Sequence, residues 1–262
     1  MKALNPDFKN ASVVLTGGVG LLMVVGGLIR QAAPYGEMSP VPGLSFLMGL
    51  GWPVLCIWAG MLLRQWFRNP CWWVQALVAG ASVFCLYEAR HSLAWWDTLP
   101  FQYLMCFGVG YLVPNGLFAA ASGRKGWEYL MLLLAVAFCY TAVSVVSGRL
   151  QWPPWAFGPE HEDMKRLTQW LLLNCEPLLM LLAGYFAVMF SFSQAGQWLG
   201  GRDWFRGISV TLIILLFLAS LSNSIQLGFR HLFWTCFLRT LVSFGAAFQY
   251  YRMWRDDNKK TA

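Results

Sequence analysis

The stretch YEARHSLAWWDTL, residues 87–99, lies between two long apolar runs, and the rest of the chain repeats this alternation of apolar run and polar junction. Apolar runs of about 20 residues are long enough to cross a bilayer as helices, and indole rings settle at its two interfaces. The stretch therefore predicts a polar mouth between two membrane-spanning helices. Its side chains that support this prediction are Glu88, Arg90, His91 and Asp97, with Trp95 and Trp96 beside them.

The composition also indicates a membrane protein. Of the 262 residues, 58% are hydrophobic and 12% are charged, and the mean hydropathy is +0.51. A soluble domain carries roughly 25% charged residues, so most of this surface is expected to face something other than water. The net charge of +7 is explained by basic turns on one side of a membrane, and no nucleic-acid partner is predicted. The cysteines form no C-x-x-C motif and are predicted to be packing residues.

Eight apolar segments predict an all-α, polytopic transmembrane bundle that forms one integral membrane domain over residues 1–262. The alternation of barrel strands is absent, and open sheet edges cannot be satisfied in lipid. The first segment is interpreted as an uncleaved helix, because its apolar stretch continues to Ile29 without a small-residue cleavage site. The predicted spans are residues 12–30, 43–63, 71–89, 99–121, 127–147, 168–193, 207–228 and 231–253.

The distribution of Lys and Arg predicts the orientation of the bundle. Cytoplasmic turns carry an excess of these residues. With the N-terminus inside, every inner turn is basic and the C-terminus is also inside, so eight spans in an N-in/C-in arrangement are predicted. The inner basic residues are Lys2, Lys9, Arg64, Arg68, Arg124, Lys125, Arg202, Arg206, Arg252, Arg255, Lys259 and Lys260.

Polar side chains gather on the predicted outer face. Glu88 and His91 have the E-x-x-H spacing of some metal sites in helical bundles, and His161 and His231 fall on the same side. Interfacial polar caps at helix ends explain the same residues, and this interpretation is favoured, so no metal and no cofactor are predicted. The candidate outer-face cluster consists of Glu88, Arg90, His91, Asp97, Asn223, Gln226, Arg230 and His231.

Two opposite charges lie inside predicted spans. Glu176 and Arg239 are about eight and nine residues from the outer ends of their spans, which corresponds to a depth of roughly 12–13 Å at 1.5 Å per residue. Charges at such a depth are costly and usually have a partner or a function. We expect the two side chains to pair or to face one shared polar cavity. Pro177 beside Glu176 also predicts a kink.

The entry to the second predicted span carries a family resemblance. It contains Met38, Pro40, Leu44, Phe46, Leu47 and Gly49, and a basic turn and a span ending LYEARHSLAWWDTLPF follow. On these residues, the region 32–101 resembles the N-terminal membrane-associated sensor (MASE-like) modules of bacterial histidine kinases and diguanylate cyclases. The resemblance implies a sensor in a bacterial inner membrane. Such modules normally feed a cytoplasmic domain, and this chain stops at Ala262, so action through a separate partner is expected.

Three functions remain open from the sequence. No G-x-S-x-G, H-E-x-x-H or Walker A motif occurs, which favours a non-enzymatic sensor or partner-docking subunit of a larger complex in the bacterial inner membrane. Its expected partners are the lipid bilayer and other membrane or periplasmic subunits. The first alternative is a small-solute transporter with an outward-facing polar cavity. The second is a membrane enzyme with a periplasmic-face acid–base or metal site that uses Glu88, His91 and His231.

Overall fold

A computed structural model describes residues 6–32, 49–66, 71–91, 95–113, 120–146, 162–227 and 233–261. No strand occurs in these ranges, so the predicted all-α fold is confirmed for them. Each of the eight predicted segments overlaps one long helix, and a short helix was not predicted. The helices are α1 (Pro6–Ala32), α2 (Gly51–Trp66), α3 (Trp72–His91), α4 (Trp95–Leu112), α5 (Trp127–Val146), α6 (Glu162–Phe192), α7 (Gln194–Gly200), α8 (Asp203–Leu227) and α9 (Phe233–Thr261).

Two helices in the described part of the chain are long and apolar enough to cross a membrane. They comprise Asp7–Val25 of α1 and Asp203–Gln226 of α8, and a third candidate is the bent pair formed by α6 and α7. Shorter apolar helices cover Leu99–Leu112 and Trp127–Ala142. The structure therefore supports two or three spans by length and composition, and the eight-span arrangement stays a prediction. The described apolar stretches of α4 and α5 are shorter than the predicted spans 99–121 and 127–147.

The break in the third candidate lies at a serine and not at a proline. Pro177 lies inside the continuous helix α6, whereas α6 and α7 are bent by 69° at Ser193. Ser193 adopts an extended backbone and its side chain accepts a hydrogen bond from the amide of Gly196. The two preceding amides, those of Gln194 and Ala195, donate to the carbonyls of Arg124 and Lys125. Capping and the neighbouring turn therefore satisfy the helix start that the bend creates.

Helices α1 and α2 run in opposite directions, and their contacts show which residues of α2 lie near the beginning of α1. The indole of Trp58 in α2 donates to Ser12 near the start of α1, over 2.9 Å. At the other end of the contact, the start of α2 at Gly51 meets Val19 and Met23 of α1. Residues near Trp52 therefore lie far from the beginning of α1, and residues near Arg64 lie close to it.

Close approach of helices depends on glycines without a Cβ. A Cβ on Gly60 of α2 would meet the backbone of α4 at Phe107, and a Cβ on Gly110 of α4 would meet the backbone of α2 at Ile57. In α1, a Cβ on Gly17 would meet the side chain of Ser209 in α8. Small residues that let helices approach closely are a usual packing device of helices in lipid, so helix packing explains the glycines at these three positions.

Three segments meet where α1 begins, and we call this region the basic end; it consists of residues 7–10, 123–126 and 193–206. The side-chain amide of Gln197 donates to the carbonyl of Asp7, and Arg206 donates to Asn10. Gly126 makes its turn with φ of +103°, a conformation that favours glycine. The distribution of Lys and Arg predicts that these three segments lie on the inner side of the membrane. The opposite part of the bundle, which includes Trp52 at the start of α2, is called the far half.

Candidate functional site

Arg239 occupies an aromatic box in the far half. Its guanidinium lies 5.3 Å from the ring centroid of Trp52 and 5.6 Å from that of Tyr103. Its Nε and Nη2 both donate to the hydroxyl of Tyr103, over 3.1 and 2.7 Å. Both rings are almost fully buried, whereas Arg239 itself is half-buried. The box therefore holds a cation between α2, α4 and α9, with part of the guanidinium accessible.

Glu176, the other predicted intramembrane charge, has a different partner. The hydroxyl of Tyr140 in α5 donates to its Oε1 over 3.3 Å. The contacts of the described residues include no bond between Glu176 and Arg239. The structure thus gives each charge a tyrosine hydroxyl from a neighbouring helix, and a cavity shared by the two charges stays a prediction.

Three members of the candidate outer-face cluster, Glu88, Asn223 and Gln226, have described side chains. Glu88 lies near the end of α3, while Asn223 and Gln226 are exposed on α8, where Gln226 donates to Ser222 of its own helix over 3.3 Å. The side chains of Arg90, His91, Asp97, Arg230 and His231 lie outside the described residues. Their assembly into one site stays a prediction.

A buried serine of α8 bonds to α9. Ser224 is buried and its hydroxyl lies 3.0 Å from that of Thr240 on α9, one residue after Arg239. Ser224 also donates to the carbonyl of Ser220 in its own helix. Hydroxyl bonds of this kind join helices in lipid. The polar stretch of α8 therefore contains a helix–helix contact on one face and exposed amides on another.

Two buried oxygens on helices that form the box have no hydrogen-bond partner in the described part of the chain. Thr235 precedes Arg239 by four residues and so lies on the same face of α9, and its hydroxyl oxygen is buried and unpaired. The side-chain oxygen of Gln102, which adjoins Tyr103, is also buried and unpaired. Buried polar groups in native proteins are nearly always paired, so Thr235 marks a polar position beside Arg239 that the described protein atoms do not satisfy.

The polar contacts near the basic end are not predicted from the sequence, which indicates few polar side chains in the inner half apart from its basic turns. Besides the Trp58–Ser12 bond, the hydroxyls of Thr16 in α1 and Tyr250 in α9 lie 2.7 Å apart. Arg206 donates to the carbonyl of Gly200 over 2.9 Å and to Asn10 over 3.0 Å. The i, i+4 spacing of Ser12 and Thr16 was the available signal, because it places both hydroxyls on one face of α1.

The ionisable groups in the described ranges suggest no metal centre. No group of three or more His, Cys, Asp or Glu side chains there is arranged to hold a metal ion. At the basic end, the exposed Arg124 forms an ion pair with Glu128 over 2.8 Å, and this hydrogen bond raises the pKa of the Arg124 guanidinium. Because arginine is charged at all physiological pH values, the contact adds no pH response.

Comparisons with protein-family models, with curated proteins and with solved structures give no match to this chain.

Proposed function

We propose that this chain is a multi-pass protein of a bacterial inner membrane and acts as a sensor that docks a partner without catalysing a reaction. The observation that supports this proposal is the continuity of α9. This single helix carries Arg239 of the aromatic box and, eleven residues later, Tyr250 with its bond to Thr16. A displacement of Arg239 would therefore reach the contacts of α9 with α1 about 16 Å further along its axis.

The position of the basic end supports the eight-span, N-in/C-in arrangement as part of the proposal. The turn at Arg124 and Lys125 bonds to the amides of α7, and Arg206 bonds to Asn10 near the start of α1. Three turns that carry Lys or Arg thus lie together, as the positive-inside distribution requires. The proposal places this end in the cytoplasm and the aromatic box in the half that faces the periplasm.

A lipid environment is supported by the outer surface of α9. A helical stripe of large apolar side chains is exposed there, at alternating spacings of three and four residues: Trp234, Phe237, Leu241, Phe244, Phe248 and Tyr251. Contiguous apolar patches of this extent are rare on soluble monomers. We propose the lipid bilayer as the partner that covers this stripe.

A transporter remains the second candidate, because one candidate span is bent. Discontinuous helices near a polar site are typical of secondary transporters, and α6 and α7 are bent by 69°. However, the amides at this bend are bonded to the turn at Arg124 and Lys125 and not directed toward Arg239. The bend is thus explained by packing at the basic end, and the sensor is the better-supported proposal.

The test is purification of the full chain in a mild detergent, followed by mass spectrometry of the proteins that stay bound. We expect one stoichiometric partner with a cytoplasmic domain. Replacing Arg255, Lys259 and Lys260 with Gln should reduce its retention, because these residues lie at the end of α9 that the proposal places in the cytoplasm. The matched control replaces Arg149, Lys165 and Arg166, which are predicted to be on the other side.

Two outcomes would contradict the proposal. The first is a lone protein in every preparation, together with solute uptake by proteoliposomes that contain it, which would establish the transporter. The second is equal loss of the partner in both triple variants, because this would show a general effect of charge and no docking at the cytoplasmic end.

A further inference from the structure

Arg239 has fewer bonds than its chemistry allows. A guanidinium carries five N–H donors in a planar fork, and the Nε and Nη2 of Arg239 converge on one hydroxyl oxygen, that of Tyr103. No carboxylate in the described part of the chain forms an ion pair with it. An intramembrane arginine normally pairs with another charge or with backbone carbonyls. The remaining donors have no partner in the described part of the chain and can bond a further group.

The protein holds this guanidinium in place without neutralising it. Trp52 and Tyr103 approach within 5.3 and 5.6 Å of it, and rings at these distances attract a cation but leave its charge intact. The two bonds to Tyr103 further restrict the rotation of the guanidinium. A positioned, charged and half-exposed fork is the arrangement that recognises a carboxylate or a phosphate by paired hydrogen bonds.

One unpaired hydroxyl on the same face of α9 adds a second polar group. Thr235 is one helical turn before Arg239, and its buried hydroxyl can donate a hydrogen bond to an oxyanion. Thr235 is only 1% exposed, so a ligand that reached its hydroxyl would satisfy a polar atom which the described part of the chain leaves unpaired.

We propose that Arg239 is the anchor of a binding site for an oxyanion, either a carboxylate or a phosphate group, in the far half of the bundle. Thr235 adds a second donor to this site. The proposal rests on the sensor function for the consequence of binding, since the ligand would act on α9 through Arg239. The binding itself is independent of any partner.

The oxyanion can come from two sources, namely a small solute or the phosphodiester headgroup of an anionic lipid. The experiment therefore uses the full chain in nanodiscs of phosphatidylcholine, to which inorganic phosphate or succinate is added. A parallel series replaces part of the lipid with phosphatidylglycerol, and native mass spectrometry counts the lipids that stay bound. Solute binding is followed by tryptophan fluorescence, with the Trp52→Phe variant identifying the signal of the box.

We expect saturable binding of at least one probe by the unaltered protein. The Arg239→Gln variant should lose it, and Arg239→Lys, which keeps the charge but not the fork, should bind at least about tenfold more weakly. The matched control is Arg64→Gln, because Arg64 also lies 5.6 Å from a tyrosine ring, that of Tyr111, but near the basic end. Its affinity should stay within about twofold of the unaltered protein.

The proposal is overturned if Arg239→Lys binds every probe as tightly as the unaltered protein, or if no probe binds at millimolar concentration in either lipid. The Lys variant keeps a positive charge in the box, so it guards against loss of folding in Arg239→Gln. If a partner is retained but no probe binds, the sensor function stands and the oxyanion site fails. If a probe binds through Arg239 but no partner is found, the site stands and the docking function fails.

Discussion

Arg206 and Arg239 are both half-buried arginines, yet the two regions treat them in opposite ways. Arg206 bonds the carbonyl of Gly200 and the side chain of Asn10, and it lies 3.8 Å from Asp203. Its donors thus join α8 to α1 and to the end of α7. Arg239 bonds one hydroxyl between two rings. The difference indicates that the basic end is a structural clamp, whereas Arg239 in the aromatic box has donors left for the proposed oxyanion.

The largest effect is expected where α1 and α8 touch beneath the clamp. A Cβ on Gly17 would collide with Ser209 and press on Phe205, whereas a Cβ on the adjacent Gly18 would meet open space. We expect Gly17→Val to lower the free energy of unfolding by about 3 kcal/mol or more, because α1 and α8 must separate. Thermal unfolding in detergent measures this change. Gly18→Val is the control. Equal destabilisation by both variants would show that the contact of Gly17 with Ser209 does not stabilise the basic end.

The clamp itself should contribute the next largest amount. Arg206→Gln removes hydrogen bonds from a charged donor to Gly200 and Asn10, and each such bond contributes about 1.5–3 kcal/mol. We expect a loss of about 2 kcal/mol, because the shorter amide recovers part of the contacts. Arg202→Gln is the control: Arg202 is exposed and stacks 4.5 Å over Trp198, so its loss should cost about 0.5–1 kcal/mol. A reversed order would show that Arg206 is not structural.

A single neutral bond should have a smaller effect. Tyr250→Phe removes the hydroxyl that lies 2.7 Å from that of Thr16 and should cost about 1 kcal/mol. Thr16→Val should cost a similar amount, and the double variant should cost less than the sum because the two changes remove the same bond. Strict additivity in this cycle would mean that α1 and α9 are not coupled through these hydroxyls.

Arg239 should give the smallest change in stability, and its sign should differ. Arg239→Met removes a charge that has no carboxylate partner in the described part of the chain, while its length still fills the space between Trp52 and Tyr103. Replacing such a charge with an apolar side chain is often neutral or stabilising. We expect an unchanged or raised melting temperature in the absence of ligand. A loss as large as that of Arg206→Gln would make Arg239 a second clamp.

The helices were predictable from the sequence because apolar length determines them. Each predicted segment overlaps a helix, from α1 to α9, since apolar runs of this length form helices in lipid whatever surrounds them. The bend at Ser193 was not predictable in the same way. It depends on the turn at Arg124, about 70 residues earlier, and no local pattern reports such a neighbour, whereas Pro177 was the local signal and lies in a continuous helix.

The common depth of Glu176 and Arg239 stays a prediction, and the direction of their side chains could not be predicted from the sequence. Counting residues from the helix ends placed Glu176 and Arg239 at one level, yet it gave no information on which way each side chain points around its helix. The structure directs Glu176 to Tyr140 of α5 and Arg239 to Tyr103 of α4. The sequence does not reveal tyrosine hydroxyls within apolar runs as partners of these charges, because hydropathy treats tyrosine as part of the span.

Because α9 is one unbroken helix, its length fixes the rotation of its C-terminal tail about the helix axis. Its 29 residues extend about 44 Å, which exceeds the roughly 30 Å hydrocarbon core of a bilayer, and the helix continues without a break from Arg239 to the tail. Every residue inserted after Tyr251 would therefore turn the tail by about 100° relative to the aromatic box. Insertions of one or two residues should misdirect the tail, whereas insertion of seven would nearly restore its direction.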